Sequence, residues 1–386
     1  MKAPLVQSCA SVASKDLMAD RHMSNSDREC GPLRRKGRAA LSNPDGRYEQ
    51  LQREPVDDGW GGNEAALPPL HTVVTEERAR TVIARNQSPD VPFEQSINPY
   101  RGCEHGCVYC YARPTHAYLG LSPGLDFETR LFAKPDAAEL LRRELRHPGY
   151  RCKVMALGTN TDPYQPIERK RQITRQILGV LAEFCHPVTI VTKSALVERD
   201  IDILTEMARE QLAQVTLSIT TFDRELARRM EPRATAPQRR LEAMHQLAQA
   251  GIPTGVLVAP VIPGVNDGEI ENILEACAHA GAQSAGYLFL RLPLEIKDLF
   301  REWLTAHYPL KKQRVMSLIR QSRGGLENDP RFGTRMTGTG AYADLIARRF
   351  AVACKRLSHE RTAGALDTTR FRGYNDAGVQ PDLFVG

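Results

Sequence analysis

Cys103, Cys107 and Cys110 fall within one short run, Arg101-Gly102-Cys103-Glu104-His105-Gly106-Cys107-Val108-Tyr109-Cys110. The spacing is C-x3-C-x2-C. Three thiolates in one loop can hold three irons of a cubane [4Fe–4S] cluster. A cluster held by protein alone takes four cysteines, so three would leave one iron open to a small molecule. The same run also permits structural zinc, with His105 or His116 completing a Cys3His set. A disulfide is the poorest reading, because the chain has nine cysteines, an odd number, and no apolar signal segment is read in Met1 to Asp16. Gly102 and Gly106 let backbone wrap closely around an inorganic core.

A loop of this kind needs a frame. From Pro92 onward, short apolar strands alternate with helical stretches. Strands are expected near Ser96–Tyr100, Lys153–Leu157, Val188–Thr192, Gln214–Ile219, Thr254–Val261 and Ser284–Leu290. Helices are expected near Asp136–Arg146, Arg169–Phe184, Glu198–Arg209, Pro237–Ala250 and Gly268–Ala280. The strands are rich in Val, Ile and Leu and mostly continuous rather than alternating, which suits a parallel sheet buried on both faces. The fold class is α/β, a partial (β/α)6 TIM-type barrel, with the active site at the C-terminal strand ends. Three further helices are expected over Leu294–Tyr308, Lys311–Gln321 and Gly340–Leu357. The boundaries follow: 1–87 a mostly disordered N-terminal extension, 88–292 the partial barrel, 293–360 a helical, basic C-terminal region, and 361–386 a flexible tail.

The run Ser96-Ile97-Asn98-Pro99-Tyr100-Arg101-Gly102-Cys103 through Cys110-Tyr111-Ala112-Arg113, with Thr161-Asp162-Pro163-Tyr164-Gln165-Pro166-Ile167-Glu168, resembles the radical S-adenosylmethionine (radical SAM) superfamily. Within it the chain is similar to the DNA repair photolyase-like subgroup related to spore photoproduct lyase, in an uncharacterised bacterial branch. The resemblance spans about Ser88 to Leu357. It implies a [4Fe–4S] cluster on Cys103, Cys107 and Cys110, and S-adenosyl-L-methionine as cofactor or cosubstrate. It further implies one-electron cleavage of that cofactor to a 5′-deoxyadenosyl radical, which abstracts hydrogen from a substrate. Tyr109 occupies the position where the superfamily carries an aromatic near the adenine.

Other strand ends offer cofactor contacts under this resemblance. Thr159, Asn160, Thr161 and Asp162 follow the second strand and suit the cofactor's ammonium group, although the segment departs from the superfamily's Gly-Gly-Glu form. Their alternative role is a polar turn capping the next helix. Ser218 and Thr220 end the fourth strand and suit the ribose. Arg240 or Arg233 suits the carboxylate as a planar fork. Val258 to Gly264 suits the adenine, and Arg291 lies at the rim after the sixth strand. A hydrogen-donor cysteine does not carry over: Cys152, Cys185, Cys277 and Cys354 read as buried structural thiols. Tyr164 and Tyr287 are candidate radical relays.

Composition sets the outer limits. The chain of 386 residues is 41% hydrophobic and 25% charged, ordinary for a globular protein. No run of about 18 apolar residues predicts a membrane span, and free thiols with an oxygen-sensitive cluster fit a cytoplasmic site. Residues 291–386 hold 17 Lys+Arg against 10 Asp+Glu, a balance of +7 within a total of +6. A basic C-terminal quarter points to a polyanion such as nucleic acid. Gln380, Leu383 and Phe384 form a Q-x-x-L-F run similar to peptides that dock on the DNA sliding clamp. A reductant such as flavodoxin or ferredoxin is the expected electron source. The leading expectation is a radical enzyme, possible lyase, acting in DNA repair on a lesion or modified base. The competing readings are a radical enzyme on a protein or small metabolite, and a non-enzymatic metal-stabilised nucleic-acid-binding module.

Overall fold

In the computed structural model, residues 35–49, 70–360 and 364–373 are described. The strands are β1 (Val73–Glu76), β2 (Ile83–Arg85), β3 (Gln95–Ile97), β4 (Tyr100–Arg101), β5 (Arg130–Ala133), β6 (Met155–Leu157), β7 (Val188–Thr192), β8 (Ala213–Ser218), β9 (Thr254–Val261) and β10 (Ser284–Phe289). The helices are α1 (Leu125–Thr129), α2 (Ala137–Leu145), α3 (Glu168–Arg171), α4 (Ile173–Glu183), α5 (Ile201–Arg209), α6 (Arg224–Met230), α7 (Pro237–Gln249), α8 (Ile270–His279), α9 (Ile296–His307), α10 (Pro309–Gln321) and α11 (Gly340–Arg356).

The large sheet runs β10-β9-β8-β7-β6-β3-β2. Its six strands from β3 to β10 are parallel neighbours, and β2 adds an antiparallel edge. Val188, Ile190, Val215, Leu217, Val256 and Val258 are buried in one continuous core with α2, α4, α7, α8 and α11. This is the expected open (β/α)6 arrangement: the apolar runs of β7 and β9 form strands with the expected ends, because strands covered on both faces need no polar alternation.

A second, three-stranded sheet, β1-β5-β4, frames the cysteine loop, which leaves β4 and returns through α1 into β5. A second apolar cluster joins Cys107, Val108 and Tyr109 to Met230, Leu290, Phe300, Trp303 and Val315. Thus α9 and α10 close over the loop rather than forming a separate body.

Several expectations change. Residues 35–49 and 70–87, assigned to a mostly disordered extension, include β1, β2 and a segment whose Ala39 and Ala40 are buried. The expected helix Arg169–Phe184 is two helices, interrupted at Gln172 with φ 52°. Helix α6 was not expected; Asp223 caps it by accepting the Glu225 and Leu226 N–H groups at 2.8 and 3.1 Å. Part of the tail also has defined contacts: Phe371 lies 5.4 Å from Tyr150 and 5.3 Å from His186, ring centre to ring centre. The Gln380, Leu383 and Phe384 motif lies outside the described residues. Among those described, no helix is long and apolar enough to cross a membrane.

Candidate functional site

Gly102 and Gly106 adopt φ of 74° and 66°, the left-handed region where glycine is at ease. A Cβ on Gly102 would fall 2.6 Å from Leu131 Cδ2, and one on Gly106 2.7 Å from Glu128 Oε2. The loop is therefore packed tightly on its framing elements.

Arg113 does most of the holding. Fully buried, it donates from Nε to the Cys107 carbonyl at 2.8 Å and from Nη2 to the Gly106 carbonyl at 2.9 Å. Its Nη1 serves the Pro123 and Gly124 carbonyls at 3.0 and 2.8 Å. Its charge is met by Glu128, 2.5 Å away and equally buried. Glu128 in turn accepts the Ala40 and Ala39 N–H groups at 2.9 and 3.3 Å. The 35–49 segment is thereby tied to the same carboxylate that steadies the cysteine loop.

The Thr161–Glu168 motif braces the loop from the other side. Thr161 donates its hydroxyl to the Tyr100 carbonyl at 3.0 Å. Gln165 accepts the Glu104 N–H at 2.9 Å and donates to the Gly102 carbonyl at 3.2 Å. Asp162 lies 3.3 Å from His105 Nδ1, and Tyr100 donates its hydroxyl to Glu168. The two motifs singled out in the sequence are thus halves of one hydrogen-bonded unit.

Cys103 and Cys107 are buried and Cys110 half-buried, none in a disulfide. Burial pushes all three thiols up; for Cys103 the charges of Asp162, Cys107 and Cys110 add to it. Lys193 opposes the rise at both Cys107 and Cys110. As placed, no three His, Cys, Asp or Glu side chains among the described residues form a ready metal-binding set, His105 and His116 included. Ligand deprotonation is coupled to metal binding, and the charges of Lys193, Arg240 and Arg113 favour the thiolate forms of Cys107 and Cys110 that an iron–sulfur cluster would need. His116 instead bonds the Arg130 carbonyl through Nε2 at 2.9 Å.

Beside the loop, Lys193 follows β7 at the C-terminal end of the sheet. Its Nζ donates to Ser218 Oγ at 2.7 Å, Thr220 Oγ1 at 3.0 Å and the Ala259 carbonyl at 3.0 Å. It lies 3.1 Å from Glu231 and 5.6 Å from the Tyr109 ring centre. Burial alone would raise the Glu231 carboxyl, but Arg240 and Lys193 reverse this and hold it well below the ordinary carboxylate range.

This network changes several expected roles. Arg240, expected at the cofactor carboxylate, is fully buried and committed to protein: Nε to the Thr235 carbonyl at 2.7 Å, Nη1 to the Ser218 carbonyl at 2.8 Å, and Nη2 to Glu231. A buried guanidinium takes the nearest buried carboxylate. Arg233 pairs with Glu104 at 3.1 Å. Tyr109 donates its hydroxyl to Glu231, and Thr220 donates to the same oxygen. Asp162 accepts the Lys193 N–H at 2.7 Å and the Thr192 hydroxyl at 2.7 Å, so it braces the end of β7. The Asn160 N–H is held by Asn98 at 3.2 Å, and the Thr159 carbonyl accepts the Tyr111 hydroxyl. Sequence reasoning passed over Lys193; its only signal was Thr192-Lys193-Ser194 at the one strand end left unread.

The radical SAM superfamily matches residues 97–277. An uncharacterised protein of Mycobacterium tuberculosis is 37% identical over 285 residues, covering 69% of this chain and 82% of the relative. A radical SAM Nα-GlyT isomerase of Pseudomonas phage M6 is 27% identical over 198 residues, covering 49% of this chain and 38% of that one. Spore photoproduct lyase shares the fold: a variant gives a TM-score of 0.52 at 17% identity, and the enzyme complexed with dinucleoside spore photoproduct gives 0.50 at 16%. Each match covers 74% of this chain and 79% of the lyase. This chain is an enzyme that belongs to the radical SAM superfamily.

Proposed function

We propose that Cys103, Cys107 and Cys110 hold a [4Fe–4S] cluster and that the enzyme acts on nucleic acid, at a lesion or modified base. With S-adenosyl-L-methionine bound, the cluster would supply the electron for reductive cleavage to a 5′-deoxyadenosyl radical, which takes hydrogen from the substrate. Arg113 and Gln165 keep the three thiols on one rigid loop. Lys193, whose three N–H groups serve Ser218, Thr220 and the Ala259 carbonyl, meets the cofactor carboxylate by exchanging one of these bonds, in the role expected of Arg240. Ser218 and Thr220 hold Lys193 in place. Thr159 and Asn160, half-buried at the end of β6, serve the cofactor's amino group. The observation that carries this reading is the position of Lys193 beside the loop of Cys103, Cys107 and Cys110, two of its thiols buried and one half-buried, at the C-terminal end of a parallel sheet, where such folds place their chemistry.

Nucleic acid as substrate is supported by the +7 balance of residues 291–386 and by analogy with spore photoproduct lyase, whose complex contains a dinucleoside photoproduct. A flavodoxin or ferredoxin is the proposed reductant. The Gln380, Leu383 and Phe384 motif is proposed to dock on the DNA sliding clamp; deletion of residues 380–386 is expected to abolish clamp binding and spare cofactor cleavage. The test of substrate class is DNA binding by the anaerobically reconstituted protein across a salt titration. Affinity that falls steeply with salt supports phosphate contacts. Absence of binding turns the reading to a protein or small-metabolite substrate.

A further inference from the structure

At the rim beyond β10, among the described residues, Arg291 and Arg323 have no bonded carboxylate. Arg335 is bonded to Asp90, with Nε at 2.6 Å. Arg331 is bonded to Asp329 at 2.9 Å. Arg323 is fully buried and serves backbone carbonyls, including Leu290 at 2.6 Å and Arg335 at 2.8 Å. Arg291 differs in being half-buried rather than fully buried: its Nη1 meets the Met336 sulfur at 3.8 Å, and its Nε, like that of Arg323, is shielded from solvent with no hydrogen-bond partner.

A shielded, unpaired guanidinium nitrogen is costly. Burial and the Arg335 charge push the Arg291 guanidinium down, and burial with the Arg291 charge brings Arg323 to about 10. Two neighbouring arginines without a bonded carboxylate make a positive field that an anion would relieve. One exposed ring lies beside Arg291, and a second lies beside its neighbour Arg335. Tyr111, directly after the third cysteine, has its ring centre 6.0 Å from the Arg291 guanidinium and is 47% exposed. Phe332 is 57% exposed, with the Arg335 guanidinium 4.5 Å over its ring. Exposed rings beside arginines are how proteins hold unpaired bases.

We propose that Arg291, between Tyr111 and the 332–336 loop, binds the phosphodiester of an unpaired nucleotide, with the adjoining base stacked on the exposed rings. This deepens the nucleic-acid reading above and rests on it. A carboxylated metabolite would satisfy Arg291 but would have no use for two separate exposed rings.

The test is fluorescence anisotropy of labelled single-stranded oligothymidine on the anaerobically reconstituted full chain. Arg291→Gln is expected to weaken binding about tenfold and to lower the salt slope by about one. Phe332→Ala, at an exposed position, is expected to weaken binding with the salt slope kept. Arg356→Gln, on the distant face of α11, is expected to leave binding unchanged. Binding by the wild type with Arg291→Gln and Phe332→Ala both at wild-type affinity overturns the site and leaves the nucleic-acid reading standing. Absence of wild-type binding overturns both. Circular dichroism and iron content identify any variant that fails to fold, and Phe332→Ala decides the matter if Arg291→Gln does.

Discussion

Arg113 and Glu128 form a fully buried ion pair, 2.5 Å apart, and it shapes the loop whose sulfurs are proposed to hold the cluster. The guanidinium is the common anchor of four loop carbonyls. Breaking a buried pair strands a charge and costs about 3–5 kcal/mol. Arg113→Lys, which cannot span those carbonyls, and Glu128→Gln are both expected to lose bound iron in anaerobic reconstitution while Cys152→Ser keeps it. Iron and sulfide content per chain is the measurement.

The same carboxylate links the loop to the N-terminal side. Ala39 and Ala40 donate to Glu128, and Arg38 Nη1 donates to the Glu128 carbonyl at 2.9 Å. A chain starting at residue 35 is expected to retain its cluster, and one starting at residue 49 to lose it within minutes of air exposure. Absorbance near 400 nm, followed after opening to air, distinguishes them. Equal lifetimes would mean that the segment is dispensable.

Lys193 supplies the only cation argued to meet the cofactor carboxylate. Lys193→Met is expected to raise the KM for S-adenosyl-L-methionine by about tenfold to a hundredfold, the loss of one charged hydrogen bond, with iron content unchanged. A purely structural role would instead lower iron content and leave the KM in place. The two readouts separate these outcomes in one preparation.

His186 gives a pH dependence away from the site. Its ring is fully buried, 2.7 Å from the Tyr150 hydroxyl, and burial pushes it down to about 4. The folded value lies below the unfolded value of about 6.5. Its contribution is therefore whole above about 6.5 and is lost as pH falls toward 4, amounting to at most a few kcal/mol. Thermal unfolding from pH 7 to pH 4 is expected to show a shallower acid loss in His186→Gln than in wild type. Parallel curves would remove His186 from the account.

Much of the frame was legible because its cause is local. Val188–Thr192 and Thr254–Val261 are short runs rich in Val, Ile and Leu, and such runs between helices have few alternatives to a buried parallel strand. The cysteine loop was legible because its spacing is itself the chemistry. What escaped depends on distant partners. Ala39 and Ala40 read as ordinary residues until Glu128 appears opposite them, 89 and 88 residues on. Arg240 was assigned to the cofactor because nothing in a helix sequence shows that Glu231, nine residues earlier, is buried and facing it. Lys193 was missed because a lysine after a strand resembles surface until Ser218, Thr220 and Ala259 are seen around its ammonium group.

The central claim is that the three-cysteine loop supports reductive cleavage of S-adenosyl-L-methionine. The direct measurement is 5′-deoxyadenosine formation by the anaerobically reconstituted full chain with dithionite, in the presence of single-stranded DNA, beside Cys107→Ala. The account expects product from a wild type carrying about four irons and four sulfides, and none from the variant. Product at equal rates from both, or a wild type that takes up zinc in place of iron and forms none, would contradict it.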